Sequence, residues 1–403
     1  MPRRKLMLLG GLRYLLPVID AAHNLGCHVI TCDYLPDNIA HKYSDEYHNV
    51  SILDRDAVLS IARELRIDGI MSFAVDPGVV TAAYVADKMG LPQAGPYESV
   101  CILQNKDRFR SFLEENGFNV PKSRGFSTYE EAYAARDYFA WPVIVKPVDS
   151  AGSKGVSRVD SPDKLGAAFD NALSHSFSGK VIIEEFIEKL GCSSDSDCFS
   201  VDGELKFVSF SAQRFDENAD NPYTPAAYSW PSTFTKEQEA ELTVEIQRLL
   251  TLLRMRTSIY NIETRIGTNG KPYIMEVSPR GGGNRLAEML RMATGVDMVT
   301  ASVRAALGES VTDIVQRPYD GHWAEVILHA DRCGTFRGLD ISPEMSRHVV
   351  ERDLWVREGA QVSSFNGAND AIGTLVMKFE SCVESEQFLQ NQQSSINLRI
   401  IRQ

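Results

Sequence analysis

The sequence predicts a multidomain chain of mixed α/β and α+β class that begins with an open parallel α/β domain, and three observations carry this. Strand-like and helix-like patterns alternate over the first hundred residues, which is how a parallel sheet with right-handed crossovers reads. The chain has 403 residues, which at about 100–200 per domain gives roughly two to four domains. Hydrophobic residues at 43% and charged residues at 24% supply sizeable cores and exclude wholesale disorder.

Lys5–Leu9 reads as a buried first strand. Arg3, Arg4 and Lys5 before an apolar run imitate a signal peptide, but Arg13 interrupts the run and no small-residue cleavage site follows, so a strand is expected. Residues 14–25 read as a helix ended by Gly26, 27–33 as a second strand, 56–66 as a helix, 69–74 as a third strand, and 79–89 as a helix closed by Gly90. Gly10-Gly11 and Asp33 sit where a dinucleotide site would, yet Leu12 to Leu15 follow the glycines. With the GxGxxG spacing absent, no nicotinamide cofactor is expected.

A second block, residues 101–317, holds helices at 106–116, 164–172 and 236–253 and strands at 143–146, 180–185, 198–201 and 205–211, followed by a hairpin over 260–277. Residues 219–233, rich in Asn, Pro and Tyr, read as a polar loop of suspected function. A third block, 318–403, reads as a closing or oligomerising α+β domain, with strands at 322–329 and 373–379, a turn and connection at 334–339, and a helix at 382–392. The domain limits are therefore 1–100, 101–317 and 318–403.

Charge and cysteines bound the partners. With 54 acidic and 42 basic residues the net charge is -12, which argues against nucleic acid or an anionic membrane as the main partner. No run approaches the roughly 18 apolar residues of a membrane span. Seven scattered cysteines without a CxxC pair fit neither a disulfide framework nor a zinc site, and a reducing, cytoplasmic location is expected.

The densest chemistry lies between Tyr260 and Arg280. Asn269-Gly270 is a strong tight-turn signal. A turn on those two residues makes opposed positions sum to a constant, setting Glu263 across from Glu276, with Asn261, Arg265, Ile274 and Ser278 on the same face and Ile262, Thr264, Ile266, Tyr273, Met275 and Val277 on the other. Opposed carboxylates cost up to about 1 kcal/mol unless neutralised. Magnesium held by oxygen ligands would neutralise them; the competing reading is a solvated hairpin face without metal. Upstream, Lys146 ends the apolar strand Val143-Ile144-Val145 and precedes a small, flexible loop, Ser150 to Gly155, whose N–H groups could approach phosphate oxygens. The competing reading there is a plain surface turn.

Lys106, then Val143-Ile-Val-Lys146-Pro with its Gly/Ser loop, then Ile183-Glu-Glu-Phe-Ile187, then Glu263 and Met275-Glu276-Val-Ser-Pro-Arg280 together resemble, in order, the ATP-grasp superfamily of carboxylate ligases. The resemblance implies an α/β domain before the ATP-grasp core and a C-terminal domain like that of the amino-acid ligases and biotin carboxylases. It implies that Lys106 and Lys146 touch ATP phosphates and that Ser150, Gly152, Ser153 and Gly155 fold over them. Glu184, Glu185, Phe186 and Ile187 would hold the adenine edge, Glu263 and Glu276 would ligate magnesium, and Arg280 with Lys146 would be catalytic near the transferred phosphoryl group. Ser278 stands where many members have Asn, and in place of the usual ribose carboxylate the nearest acids are Asp195 and Asp197.

The implied reaction is an ATP-dependent ligation in which a carboxylate becomes an acyl phosphate and an amine displaces phosphate, acting on amino acids or on a nucleotide precursor as glycinamide ribonucleotide synthetase does. The implied partners are thus a small-molecule carboxylate and an amine, with a second copy of the chain as a homodimer. Arg285, in Gly281-Gly-Gly-Asn-Arg285, is the candidate to hold a substrate carboxylate. Biotin carboxylase-like or carbamoyl-phosphate synthetase-like chemistry is the alternative within the superfamily. Outside it stand an oxidoreductase and a silent nucleotide-binding protein.

Overall fold

The computed structural model describes residues 3–402. In the leading domain, Glu46–Asn49, His28–Asp33, Lys5–Leu9 and Gly69–Ser72 form a parallel sheet in that order. Lys5–Leu9 is central because it is apolar on both faces: Leu6 and Leu8 enter one core, Met7 and Leu9 another. Asp54 caps the helix Arg55–Leu65 by accepting from the Ala57 N–H, and Gly90, at φ +67°, ends Asp76–Met89. Glu46–Asn49 escaped the sequence reading because Glu-Tyr-His-Asn lacks apolar alternation, as an edge strand can.

Two sheets build the middle of the chain. Ser123–Phe126, Val181–Glu185, Val143–Pro147 and Ser157–Val159 form one, covered by the helix Leu165–Ser174 through Phe169 and Ala172. Glu204–Phe207, Ser194–Val201, Ser258–Ile266 and Pro272–Ser278 form the other, backed by the helix Lys236–Leu252. Thr235 and Gln238 close a reciprocal capping box on that helix, a device worth about 1 kcal/mol.

Both expected domain limits are crossed. Helices Leu286–Thr294 and Met298–Ala306 share a core with Leu6, Leu8, Val18 and Ile19 of the leading domain, and Gly69 leaves room for the Ala306 carbonyl. At the other limit, Ala212–Phe215 and Pro225–Trp230 join His322–Leu328, Gly373–Phe379 and Val349–Leu354 in one five-stranded sheet. The supposed loop at 219–233 thus contains a buried strand. The supposed turn at 334–339 lies within the strand Gly334–Ile341, where Gly334 lies against the Ile401 backbone and Gly338 marks a break in register. Glycines that read as turn signals serve close packing and a bulge.

Among the described residues, no helix is long and apolar enough to cross a membrane. All seven cysteines are free.

Candidate active site

The carboxylate pair forms. Glu263 stands across from Glu276, with Ile262 against Val277 and Asn261 against Ser278. The loop differs from the expected one: Gly267 N–H donates to the Lys271 carbonyl (2.9 Å), enclosing three residues, Thr268, Asn269 and Gly270, with Gly270 at φ +77°. Arg265 therefore faces Tyr273, and a register break between Glu263 and Thr264 restores the Glu263–Glu276 pairing. The same break moves Ile274 off the carboxylate face into the core with Ile262, Ile266 and Val277.

A third strand widens the acidic face. Ser194–Val201 lies on the far side of Ser258–Ile266 and sets Asp195 beside Glu263 and Asp197 beside Asn261. Asn261 Nδ2 donates to Asp195 (2.7 Å), and the Gly282 N–H donates to Asp197 Oδ1 (2.8 Å). Burial pushes Asp195 up to about 6, with Glu263 adding to the rise, and Asp197 up to about 7. These residues thus line the carboxylate face. The period-two pattern Asp195-Ser-Asp197 was the available signal.

Beside this face lies an open cleft of about 440 Å³ whose lining includes Asp76, Lys106, Asp149, Ser150, Phe177 and Glu276. Lys106 Nζ donates to the Ser150 carbonyl (2.8 Å) and lies 3.7 Å from Glu276 Oε2. Asp149 anchors the loop by accepting from Ser176 Oγ (2.9 Å) and the N–H groups of Phe177 (3.1 Å) and Ser178 (2.8 Å). Gly152, Ser153 and Gly155 all have positive φ, and Ser153 Oγ donates to the Tyr223 carbonyl (3.0 Å).

Lys146 pairs with Glu184, whose other oxygen accepts from Arg110 Nε (2.9 Å). Burial alone would raise the Glu184 carboxyl, but Arg110 and Lys146 more than reverse this and hold it at about 2. The Glu184 side chain is thus a buried anion engaged by Arg110 and Lys146. The Glu185 N–H donates to the Lys122 carbonyl (2.9 Å) and the Phe186 N–H to the Pro142 carbonyl (3.0 Å), while the Ile187 carbonyl accepts from Arg265 (3.2 Å).

Arg280 is clamped by Asp76, through Nε to Oδ1 (2.9 Å) and Nη2 to Oδ2 (2.6 Å), while Ser278 Oγ donates to the same carboxylate (2.8 Å). Sequence reasoning missed Asp76; its signal was its place just past a strand's carboxyl end, where open α/β sheets bind ligands. Arg285, the candidate to hold a substrate carboxylate, already meets acids of the chain through Nε and Nη1. It pairs with Glu351, with Glu288 at 3.2 Å and with Asp353 at 3.3 Å. At the N-terminal turn, Gly11 packs against Asn38 and His41, which fill the space beside it.

One cleft thus brings Lys106 and the start of the Ser150 loop to the hairpin that carries the paired carboxylates. Residues 139–288 match the profile of the ATP-grasp domain family, and the chain carries that domain. It is 32% identical over 186 residues to a formate-dependent phosphoribosylglycinamide formyltransferase of Synechococcus sp. (strain WH7803), covering 45% of this chain and 48% of that one. The chain thus spans about half the length of this curated relative. Its fold is that of the L-amino acid ligase from Bacillus licheniformis, with TM-score 0.80, 22% identity and full coverage of both chains. It is also similar to the phosphoribosylglycinamide synthetase from Anaerococcus prevotii, with TM-score 0.76 and 21% identity over 99% of this chain and 100% of that one.

Proposed function

We propose that the chain is an ATP-dependent carboxylate–amine ligase. The observation that carries this reading is the meeting of Glu263 and Glu276 on the hairpin, with Glu276 lining the cleft that holds Lys106 and Ser150. Among the described residues no three His, Cys, Asp or Glu side chains group to enclose a metal. Two carboxylates suit magnesium, which keeps water and phosphate oxygens as its remaining ligands. ATP with magnesium supplies an activated phosphoryl group whose charge is already partly neutralised.

The chain's residues do the positioning. Lys106 and Lys146 offer point charges to phosphates, and the N–H groups of Ser150 to Gly155 close over them. The backbone from Glu185 to Ile187 receives the adenine edge, and Glu263 and Glu276 hold the metal. Arg280, fixed by Asp76, presents a rigid guanidinium to the developing charge. A substrate carboxylate oxygen bonds to the γ-phosphorus as the bond to ADP breaks. The amine nitrogen then bonds to the acyl carbon, phosphate leaves with the C–O electron pair, and the surplus amine proton passes to solvent. The free cysteines favour a cytoplasmic setting.

Release of ADP, followed with a coupled assay across pairs of carboxylates and amines, tests the reading. Release that requires both members of a pair supports it. ATP binding without pair-dependent release at any combination overturns it.

A further inference from the structure

Three side chains that meet near the five-stranded sheet carry buried acceptor atoms that the fold leaves unsatisfied. Glu325 is fully buried, and neither of its carboxyl oxygens has a hydrogen-bond partner. Asp197 Oδ2 and Gln213 Oε1 are likewise buried and unpartnered. All of them are acceptors when the acids are ionised, and buried acceptors demand donors.

These groups form one continuous region. Gln213 Nε2 and the Tyr228 hydroxyl both donate to Asp195 Oδ2, at 3.4 and 3.1 Å. Tyr228 lies directly across from Glu325 on the neighbouring strand, and Glu325 lies within the electrostatic reach of Asp197, Arg285, Glu288 and Glu351. Asn284 Nδ2 donates to the Tyr228 hydroxyl (3.4 Å) and Asn284 Oδ1 accepts from Tyr14 (3.4 Å), which carries the network to a partly exposed ring stacked edge-on against Trp355. Arg285 is the cation that Glu288, Glu351 and Asp353 already engage. Arg280, the cation nearest Asp197, is clamped by Asp76, and Glu325 has no cation bonded to it. An ammonium group, with three donors and no acceptor, fits both the charge and the hydrogen-bond deficit; a phosphorylated ligand end would meet carboxylates on every side.

We propose that the buried acceptors Glu325, Asp197 and Gln213, between the Gly281–Gly283 turn and the five-stranded sheet, form a subsite for the primary ammonium group of a small substrate. On the ligase reading, on which this assignment of a role rests, that substrate is the amine partner, a cationic aliphatic amine with no phosphate at this end, whose ammonium gives one proton to a carboxylate of the subsite before its nitrogen attacks the acyl carbon.

The test is isothermal titration of the full chain, without nucleotide, with L-lysine, L-alaninamide and ethylamine, each paired with its fully N-acetylated derivative (Nα,Nε-diacetyl for lysine). At least one amine should bind, its N-acetyl partner at least tenfold more weakly, and Glu325→Gln should weaken the amine at least tenfold while leaving ATP affinity unchanged. Glu351→Gln, a partly exposed member of the same cluster, serves as the second variant should Glu325→Gln fail to fold, and should weaken the amine several-fold. No saturable amine binding, equal binding of the N-acetyl partners, or unchanged affinity in the folded variants would overturn the subsite and leave the acceptors to buried water. The ligase reading fails separately: amine binding without ADP release would sink it and spare the subsite, whereas ADP release with normal amine affinity in both variants would do the reverse.

Discussion

Two charge clusters have opposite balance, two cations around one buried carboxylate in the first and one arginine among several acids in the second. In the first, Glu184 is shared by Arg110 and Lys146, and Arg110 also donates to the Met275 carbonyl (2.8 Å); of these side chains only Arg110 Nη2 lacks a partner. In the second, Arg285 alone stands among Glu288, Glu351 and Asp353, with Glu325 close by and unpaired. A buried charge is tolerable when paired and expensive when not. The first cluster therefore has its one anion doubly paired, and the second holds an acid, Glu325, that no side chain bonds.

The largest expected effect breaks the Glu184 cluster. Glu184→Gln leaves two buried cations short of a partner and should cost about 3–5 kcal/mol in urea unfolding; a loss below ~1 kcal/mol would show that the cluster is not the staple described. Next, Glu276→Ala should lower turnover in the proposed ligase reaction by ~10²–10³-fold with the circular dichroism spectrum unchanged, because it removes charge control without touching either cluster. Near-normal turnover would remove the metal assignment.

The unbalanced cluster predicts the opposite sign in stability. Burial holds the Glu325 carboxyl above its usual range, reinforced by Glu288, Glu351 and Asp197 and opposed by Arg285; Tyr14 and Tyr228 also face it. A raised folded value means a contribution that is complete below the ordinary carboxylate range and lost as pH rises through the folded value. Thermal midpoints of wild type and Glu325→Gln should converge near pH 4, and the variant should lead by roughly 2–4 °C at pH 9. A variant less stable throughout would contradict the idea of an unpaired acid.

The smallest effect lies in the loop that borders the cleft. Gly152 sits at φ +69°, so Gly152→Ala should cost about 1 kcal/mol there and weaken ATP roughly fivefold if loop closure over phosphate carries that cost. Hydrogen exchange over residues 150–155 should slow with a non-hydrolysable ATP analogue. Unchanged exchange at saturation would detach the loop from nucleotide.

The sequence revealed what is local. Alternation exposed the parallel domain, and the Glu263–Glu276 pairing followed from counting, although two deviations had to cancel: a three-residue loop and a register break. Those deviations were invisible because a bulge depends on packing across the sheet, and Ile274 was assigned to the wrong face as a result. Arg285 shows the other limit. Its partners Glu351 and Asp353 come from a strand more than sixty residues away, so an arginine that looked available is already engaged. Glu325 carried no signal at all, since a single acid inside His-Trp-Ala-Glu-Val-Ile-Leu reads as an ordinary strand residue.

The five-stranded sheet that runs across residue 317 also bears on how the polypeptide can be cut. Pro225–Trp230 bonds along its length to His322–Leu328, and the segment between residues 307 and 321 has no strand or helix of its own. A single proteolytic nick in that segment would leave the fragments bound to each other. Each piece made alone would expose an unpaired strand edge and aggregate, yet two separately encoded pieces produced in the same cell should find one another and restore the whole, a split-protein reporter already present in the topology.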